Sequence, residues 1–335
     1  MTARQILVTG ATGGLGVAVV RAALARGHQV VATGRSTEKA ALFEELGARF
    51  VSADLVEAGD LGPLVAGANS VIHAAALSAS WGPKSAFVRA NITATARLLD
   101  AAAAAGCGRF IFISSPSIFA SFRHRENIGL DAAPADPALN HYARTKYVAE
   151  QMVLAADSAA MSCSAIRPRA LVGPGDRVIL PKLAAFAARR RMPLPGGGRA
   201  LVEFTDLRDA AAAILLAEER APDIGGIAIN ISGGRPVAVR DVAQRLAAVL
   251  GTSPRLIDLP VPLAHGLAVI AEAAARMTRA AEEPVLTRYT LATLAFSQSF
   301  DIAPAERLLG FRPSHDGLET LLAEAAMLAR TRRQP

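Results

Sequence analysis

Short apolar runs rich in β-branched residues alternate with longer segments rich in Ala and Leu over most of the chain. This alternation is typical of parallel strands joined by crossover helices. The pattern predicts strands at residues 6–9, 29–33, 49–52, 70–74, 109–114, 164–167 and 227–231. It predicts helices at residues 14–26, 38–46, 87–105 and 140–156. We therefore expect an α/β fold with a doubly wound parallel sheet and right-handed crossovers.

The pattern changes after Pro168, which indicates a second part of the structure. Residues 171–203 and 235–330 carry more Pro, more helical pattern and few convincing strands. We expect them to form a smaller, mostly helical C-terminal lobe that binds the substrate. Residues 1–170 would form the sheet domain, and residues 204–234 would return to it.

Composition indicates a globular protein, because 52% of the 335 residues are hydrophobic and only 19% are charged. The first strand begins at Ile6, so we expect no signal peptide before it. Cys107 and Cys163 lie far apart, without His or Cys neighbours at metal-ligand spacing. They are expected to be reduced thiols in a cytoplasmic protein without a bound metal.

The net charge of +7 raises the question of a nucleic-acid partner. The basic residues are scattered, and the densest runs, at 189–191 and 330–333, have no interleaved aromatics. Such runs are typical of solvated helix ends or a frayed terminus, so we expect no nucleic-acid partner. A basic surface would still attract anionic substrates or membrane headgroups.

Residues Val261–Met277 form a long apolar segment, interrupted by His265, Glu272 and Arg276. The segment is shorter than the roughly 20 residues that a membrane-spanning helix needs. We predict a helix packed on the substrate lobe. The alternative is a helix that rests on a membrane surface as a peripheral contact.

A glycine-rich turn follows the first predicted strand, with Gly10, Gly13 and Gly16 opening the first helix. Glycines there permit a tight turn and let a pyrophosphate approach the helix N-terminus, which predicts a dinucleotide site. The second strand ends at Gly34 and Arg35, where NAD enzymes usually carry an acid for the ribose 2′-hydroxyl. Arg35 would pair with a 2′-phosphate, so NADP(H) is favoured and NAD(H) is the alternative.

Tyr142 and Lys146 are four residues apart, so both would project from one face of a helix. A phenol has a pKa of about 10 in water and exchanges protons poorly at neutral pH. An ammonium group beside Tyr142 would lower its pKa. Together with the dinucleotide site, this pair predicts proton transfer beside a hydride carrier.

The order of the motifs, with a glycine turn, then Ile113-Ser114-Ser115, then the Tyr142/Lys146 helix, resembles the extended branch of the short-chain dehydrogenase/reductase family. The resemblance covers nearly the whole chain and implies a Rossmann fold. It implies Ser115, Tyr142 and Lys146 as catalytic residues, with Ser115 binding the reacting oxygen. His73, at the end of the fourth strand, is a catalytic candidate, but we favour a packed side chain there. We expect Asn91 to brace the sheet by hydrogen bonds and not to take part in the chemistry.

The resemblance also implies that Asp54 accepts a hydrogen bond from the adenine amine and that small residues after the fourth strand let the cofactor lie close. The implied cofactor contacts are Gly10, Thr12, Gly13, Gly14, Leu15, Gly16, Arg35, Ser36, Asp54, Leu55, Ala74, Ala75, Ala76, Ser114, Lys146 and Pro168.

Within the extended branch, nucleotide-sugar enzymes continue the serine segment with Val-Tyr-Gly and place an Asn where this chain has Ala170. Here the segment continues Ile118-Phe119-Ala120. The chain instead resembles the 3β-hydroxysteroid dehydrogenase-like branch, on residues 76–82, 115–117 and 283–289.

That branch implies an NADP(H)-dependent oxidoreductase that interconverts a hydroxyl and a ketone on a small hydrophobic substrate, a sterol or steroid, a long-chain β-keto acid or a related compound. A nucleotide-sugar epimerase or dehydratase is one alternative. A non-catalytic NADP-binding regulator is the other. The substrate, the favoured direction and the oligomeric state, a homodimer included, are left open.

The predicted substrate contacts are Ser117, Trp81 and Phe119. We expect the substrate pocket to be lined by residues 77–82, 118–122, 172–182 and parts of 261–290. Its walls should be mainly apolar, with Ser115 and Tyr142 as the polar pair at its floor.

Overall fold

The computed structural model describes residues 3–278, 280 and 282–331. Arg332 and Arg333 of the basic tail lie outside the described residues. The strands are β1 (Gln5–Thr9), β2 (Gln29–Gly34), β3 (Arg49–Ser52), β4 (Ser70–His73), β5 (Arg109–Ile113), β6 (Arg125–Ile128), β7 (Ser162–Pro168), β8 (Leu171–Val172), β9 (Arg191–Pro195), β10 (Leu201–Val202), β11 (Thr205–Asp206), β12 (Ala228–Ile231), β13 (Val237–Ala238), β14 (Arg255–Leu259) and β15 (Gln298–Phe300).

Helices connect these strands and cover the main sheet. They are α1 (Gly14–Ala25), α2 (Ala40–Glu45), α3 (Gly62–Val65), α4 (Lys84–Phe87), α5 (Ala94–Ala104), α6 (His141–Ala155), α7 (Ile179–Ala187), α8 (Leu207–Glu219), α9 (Val239–Leu250), α10 (Val261–Met277), α11 (Arg288–Ala295), α12 (Ala303–Leu309) and α13 (Gly317–Thr331). A π-helical segment, Val88–Thr93, joins α4 to α5, where the sequence predicted one continuous helix.

The main sheet has seven strands in the order β12-β7-β5-β4-β1-β2-β3, and every neighbouring pair is parallel. This confirms the predicted Rossmann fold. The direction in which the chain adds strands reverses between β1 and β4. Strands β2 and β3 lie on one side of β1, and β4, β5, β7 and β12 lie on its other side. A crevice forms at the carboxyl ends of strands on either side of such a point, which is where ligands bind in open α/β sheets.

The two faces of the sheet form separate hydrophobic cores. Ile6 and Val8 on β1 face one core, whereas Leu7 between them faces the other, as the alternation of side chains along a strand requires. Leu309 and Phe311, at and just beyond the end of α12, pack into the core of Ile6 and Val8. The predicted assignment of all of residues 235–330 to the substrate lobe is therefore wrong for this segment.

The lobe has its own core, formed by α7, α9, α13 and the strands between them. It contains more β-structure than predicted, because β9 pairs with β14 in parallel over five residues. Strand β15 likewise pairs with β6, which follows the serine segment of the sheet domain. The β6–β15 pair therefore joins this late segment of the chain to the sheet domain.

Helix α10 has the bounds that the sequence predicted, and it packs on the lobe through Ala264 and Ala268. Leu263, Leu267 and Ile270 on its other side are 55%, 47% and 67% exposed. Within the described residues, no helix combines the length and the apolar character that crossing a membrane would require.

Candidate active site

The turn between β1 and α1 packs so closely that glycine is required at two positions. Gly10 has a φ of +65°, and a Cβ there would lie 2.7 Å from the backbone nitrogen of Ala75. A Cβ on Gly16 would lie 2.3 Å from the carbonyl oxygen of Gly10. Gly13 precedes α1 and meets only the Gly10 oxygen, at 3.4 Å. The turn therefore leaves open space beside Gly13, at the positive end of the helix.

This turn forms one end of a cavity of about 1440 Å³ that continues into the lobe. The predicted catalytic residues Ser115, Tyr142 and Lys146 all line it, as does Ser117. So do most of the predicted cofactor residues: Gly10, Thr12, Gly13, Gly14, Leu15, Gly16, Arg35, Asp54, Leu55, Ala74, Ala75, Ala76, Ser114, Lys146 and Pro168. The structure thus brings three separate sequence motifs to one cavity.

Three predicted contacts lie elsewhere, and the structure corrects them. Phe119 is fully buried in a small core against Phe300 and is not on the cavity wall. Trp81 also lies off the wall, because its Nε1 donates a hydrogen bond to the carbonyl oxygen of residue 280 at 3.1 Å. Ser36 is exposed beyond the wall, and its hydroxyl accepts a hydrogen bond from the Glu38 amide.

Some polar atoms of the cavity wall have no hydrogen-bond partner within the described part of the chain, which is what a dinucleotide site requires. The hydroxyls of Ser114 and Ser117 are buried, and neither has a hydrogen-bond partner among the described residues. A buried hydroxyl without a partner is costly, so two of them on one wall indicate a polar ligand at that place. The open backbone at Gly13 would leave room for the phosphates of such a ligand in the same cavity.

Arg35 and Asp54 stand at the far end of the cavity, after β2 and β3. Arg35 is 79% exposed, and its Nη1 lies 4.0 Å from Asp54 Oδ2. Asp54 Oδ1 accepts a hydrogen bond from the Val56 amide at 2.8 Å, which fixes the carboxylate. Arg35 therefore keeps guanidinium donors free for a ligand.

Helix α6 positions the catalytic pair. Asn140 caps it by accepting a hydrogen bond from the Ala143 amide at 2.8 Å, which is why the helix begins one residue before Tyr142. Burial raises the pKa of Tyr142 to about 12, and a hydrogen bond with Ser115 opposes this. The Tyr142 hydroxyl is thus neutral near pH 7 and is held against Ser115.

Lys146 is only 2% exposed, and its Nζ donates a hydrogen bond to the Ile113 carbonyl oxygen at 2.6 Å. The ammonium also lies 3.8 Å from the centre of the Phe112 ring. Burial lowers the pKa of Lys146 to about 7, although the nearby Glu150 carboxylate acts in the opposite direction. The prediction that Lys146 lowers the pKa of Tyr142 is wrong for this structure, because burial dominates both groups.

His73 and Asn91 are held by hydrogen bonds in packing and bracing roles, as the sequence analysis favoured. His73 is fully buried between the hydroxyls of Thr9 and Thr95, at 2.7 and 2.9 Å. Asn91 lies in the π-helical segment, accepts from the Leu77 amide and donates to Thr145 Oγ1 on α6. It thereby braces the loop after β4 against the catalytic helix, and neither residue lines the cavity.

Sequence analysis assigned no role to Arg169 and Glu203, two buried polar residues of the lobe half of the cavity, and it included Tyr289 only within the predicted lining range 261–290. Arg169 comes just after β7, and position after a strand end is the signal that could have identified it. Glu203 also follows a strand, but β10 has only two residues and the sequence pattern does not predict it. Tyr289 lies in α11 of the lobe.

Comparison with known proteins agrees with this site. The sequence model of the NAD dependent epimerase/dehydratase family matches residues 6–232. A 2-alkyl-3-oxoalkanoate reductase from Stenotrophomonas maltophilia is 35% identical over 332 residues, which cover 96% of this chain and 99% of that protein. Human sterol-4-alpha-carboxylate 3-dehydrogenase, decarboxylating, is 30% identical over 241 residues, which cover 70% of this chain and 64% of that protein.

Among solved structures, MoeE5 in complex with UDP-glucose and NAD has a TM-score of 0.75 and 25% identity, covering 98% of this chain and 99% of that chain. The family match includes the glycine turn, the serine strand end and the Tyr142/Lys146 helix. The chain therefore belongs to the NAD dependent epimerase/dehydratase family, as an extended short-chain dehydrogenase/reductase and an oxidoreductase that acts on CH–OH groups.

Proposed function

We propose that the protein uses NADP(H) to interconvert a ketone and a hydroxyl on a hydrophobic substrate. The observation that carries this proposal is the position of the Ser115–Tyr142 pair. It lies on the wall of one cavity, between the glycine turn at one end and an apolar lobe half at the other. A substrate in the apolar half would reach both hydroxyls.

The chemical step follows from the protonation states of these groups. A dinucleotide bound against the glycine turn would supply or accept the hydride. Ser115 and Tyr142 would hydrogen-bond the substrate oxygen. Because its pKa is about 12, Tyr142 holds a proton that it can give to that oxygen during reduction. Lys146 donates one hydrogen bond from Nζ to the Ile113 carbonyl oxygen. Its remaining Nζ protons would be free to hydrogen-bond a hydroxyl of the ligand.

The lobe half of the cavity favours a hydrocarbon substrate. Its wall is mostly apolar, with side chains from six elements of the lobe and their connections: Val178, Ile179, Leu183, Phe186, Met192, Leu194, Val202, Phe204, Val242, Leu246, Leu259, Leu286 and Leu294. The relatives named for an oxoalkanoate and for a sterol carboxylate support a ketone or hydroxyl on a large apolar body. Ala170 on this wall offers no amide for a sugar nucleotide.

The reaction can be tested with purified protein, by following NADPH consumption with ketones of increasing alkyl length. Each buried methylene contributes about 0.8 kcal/mol, so KM should fall about fourfold per added carbon until the lobe is filled. A KM that does not depend on length, or turnover confined to nucleotide-linked sugars, would show that the substrate class is wrong.

The cofactor preference can be tested at Arg35. Arg35→Ala should raise the KM for NADPH by about 10- to 100-fold and change that for NADH little, because only the 2′-phosphate loses a charged partner. Arg49→Ala, an exposed arginine of the neighbouring strand that does not line the cavity, is the control. Equal losses for both cofactors, or a wild-type preference for NADH, would contradict the assignment.

A further inference from the structure

Arg169 follows the last residue of β7 and lies next to Ser115 at the end of the neighbouring strand. Strands β5 and β7 pair with Ile113 opposite Ile166, so continuing the register brings Ser115 opposite Pro168. Neighbouring strands are about 4.8 Å apart, and Arg169 is the next residue. Its amide donates to the Ile231 carbonyl oxygen at 2.8 Å, which fixes the backbone as β7 ends.

The guanidinium of Arg169 is buried in the cavity wall without an ion-pair partner. The residue is 7% exposed and lines the cavity, and its Nε has no hydrogen-bond partner among the described residues. No carboxylate oxygen of the described residues lies within 4.0 Å of it. Arg167, two residues earlier, shows the contrast, because Glu150 binds it through two hydrogen bonds of 2.7 and 2.6 Å.

Neighbouring groups hold Arg169 in place but leave its charge unpaired. Its Cζ lies 5.8 Å from the centre of the Phe300 ring. Glu203, 1% exposed, attracts it from a distance, yet Glu203 Oε2 accepts the hydrogen bond of Ser232 at 2.6 Å. A buried charge that is neither paired nor hydrogen-bonded is costly. An anionic ligand in the cavity would remove that cost.

Tyr289 interacts electrostatically with both Arg169 and Tyr142. Arg169 acts to lower the pKa of Tyr289, and Tyr289 in turn acts to raise the pKa of Tyr142. Arg169, Tyr289 and Tyr142 all line the cavity. A group bound by Arg169 would lie a short distance from the substrate oxygen at Ser115 and Tyr142.

We propose that Arg169 binds a carboxylate of the substrate, so that the protein acts on 3-oxo and 3-hydroxy acids that carry a long alkyl chain. This inference rests on the proposed function and adds a subsite to it. Guanidinium binds carboxylate through a planar pair of hydrogen bonds. A carboxylate two carbons from the reacting carbon would reach Arg169 while the carbonyl oxygen stays at Ser115, and the alkyl chain would extend into the lobe.

The experiment compares a long-chain 3-hydroxy acid with its methyl ester, using wild-type protein and Arg169→Gln. In both oxidations the C3 hydride passes to NADP⁺ and the hydroxyl proton passes through Tyr142 to solvent, which gives the 3-oxo compound and NADPH. Wild type should have a KM at least tenfold lower for the acid than for the ester. In Arg169→Gln this preference should shrink by about 10- to 100-fold.

Two further variants separate binding from structure. Arg169→Lys keeps the charge and should retain part of the acid preference. Arg190→Gln removes an exposed arginine that does not line the cavity and should leave the preference intact. Thermal unfolding of each variant shows whether it is folded. If Arg169→Gln is folded and its KM rises equally for the acid and the ester, Arg169 is structural and the inference is overturned.

Failure of the proposed function has a different signature. A wild type that oxidises the ester at least as well as the acid overturns the carboxylate subsite and leaves the reaction standing. If neither compound is turned over, the proposed function fails. Calorimetric titration with the saturated fatty acid of the same length still decides the subsite, because wild type should bind it at least tenfold more tightly than Arg169→Gln does.

Discussion

Replacing Tyr142 by Phe should lower kcat by about 10²–10⁴-fold, the range typical of a lost general acid or base. The ring and its packing remain, but the proton that the raised pKa keeps on the hydroxyl is gone. Ser115 would still hydrogen-bond the substrate oxygen, so the residual rate measures what orientation alone contributes. Dinucleotide binding should persist, because the glycine turn is untouched.

The matched control is Tyr147→Phe. Tyr147 lies on the same helix but packs beside the core of Ile118 and Phe119 and does not line the cavity. The Tyr147→Phe variant lacks one phenol hydroxyl, but its kcat should equal that of the wild type. Near-normal kcat in a folded Tyr142→Phe protein, measured by NADPH consumption, would remove Tyr142 from the proposed chemistry. Equal losses in the two variants would attribute the effect to helix α6 instead.

The parts of the structure that sequence predicted well depend on local pattern. The seven strands of the main sheet were predicted to within two residues at each end, because buried parallel strands are short apolar runs bounded by turns. Gly10 and Gly16 were predictable because close backbone contacts exclude any other residue. Tyr142 and Lys146 were predictable from their helical spacing together with the order of the glycine, serine and Tyr/Lys motifs.

Features that depend on distant contacts were not predictable in this way. Strand β9 contains Pro193 and Pro195, which argue against a strand, and its partner β14 lies about 60 residues later. A sequence pattern cannot show that pairing. The pKa values of Tyr142 and Lys146 depend on how deeply the folded chain buries them, so predicting them from their spacing alone gave the wrong direction for Tyr142.

Side-chain direction explains the remaining errors. Ser117 and Phe119 belong to one 3₁₀ turn after β5, yet the first faces the cavity and the second faces the Phe300 core. Distance in sequence from the strand end cannot distinguish them. Trp81 is close to the cavity in sequence, but its indole N–H needs an acceptor and finds it at residue 280, away from the wall.

A second large effect is expected from Glu150→Gln, which should lower the free energy of unfolding by about 3–5 kcal/mol. Glu150 is fully buried, two turns after Tyr142 on helix α6, and binds Arg167 of β7 with both carboxylate oxygens. The amide would leave the Arg167 charge buried without a counterion. Arg167 Nη1 already has no partner among the described residues. Urea-induced unfolding measures the loss.

The control uses an exposed ion pair of the same length. Arg245 Nη2 and Glu319 Oε1 also lie 2.6 Å apart, with both side chains about half exposed. Solvent screens that pair, so Glu319→Gln should change stability by less than about 1 kcal/mol. The double variant Glu150→Leu/Arg167→Met should recover most of the loss, because it removes both charges together. If Glu150→Gln costs no more than Glu319→Gln, the pair does not hold α6 against the sheet. The position of Tyr142 would then depend on the other contacts of α6, including the hydrogen bond from Lys146 to Ile113.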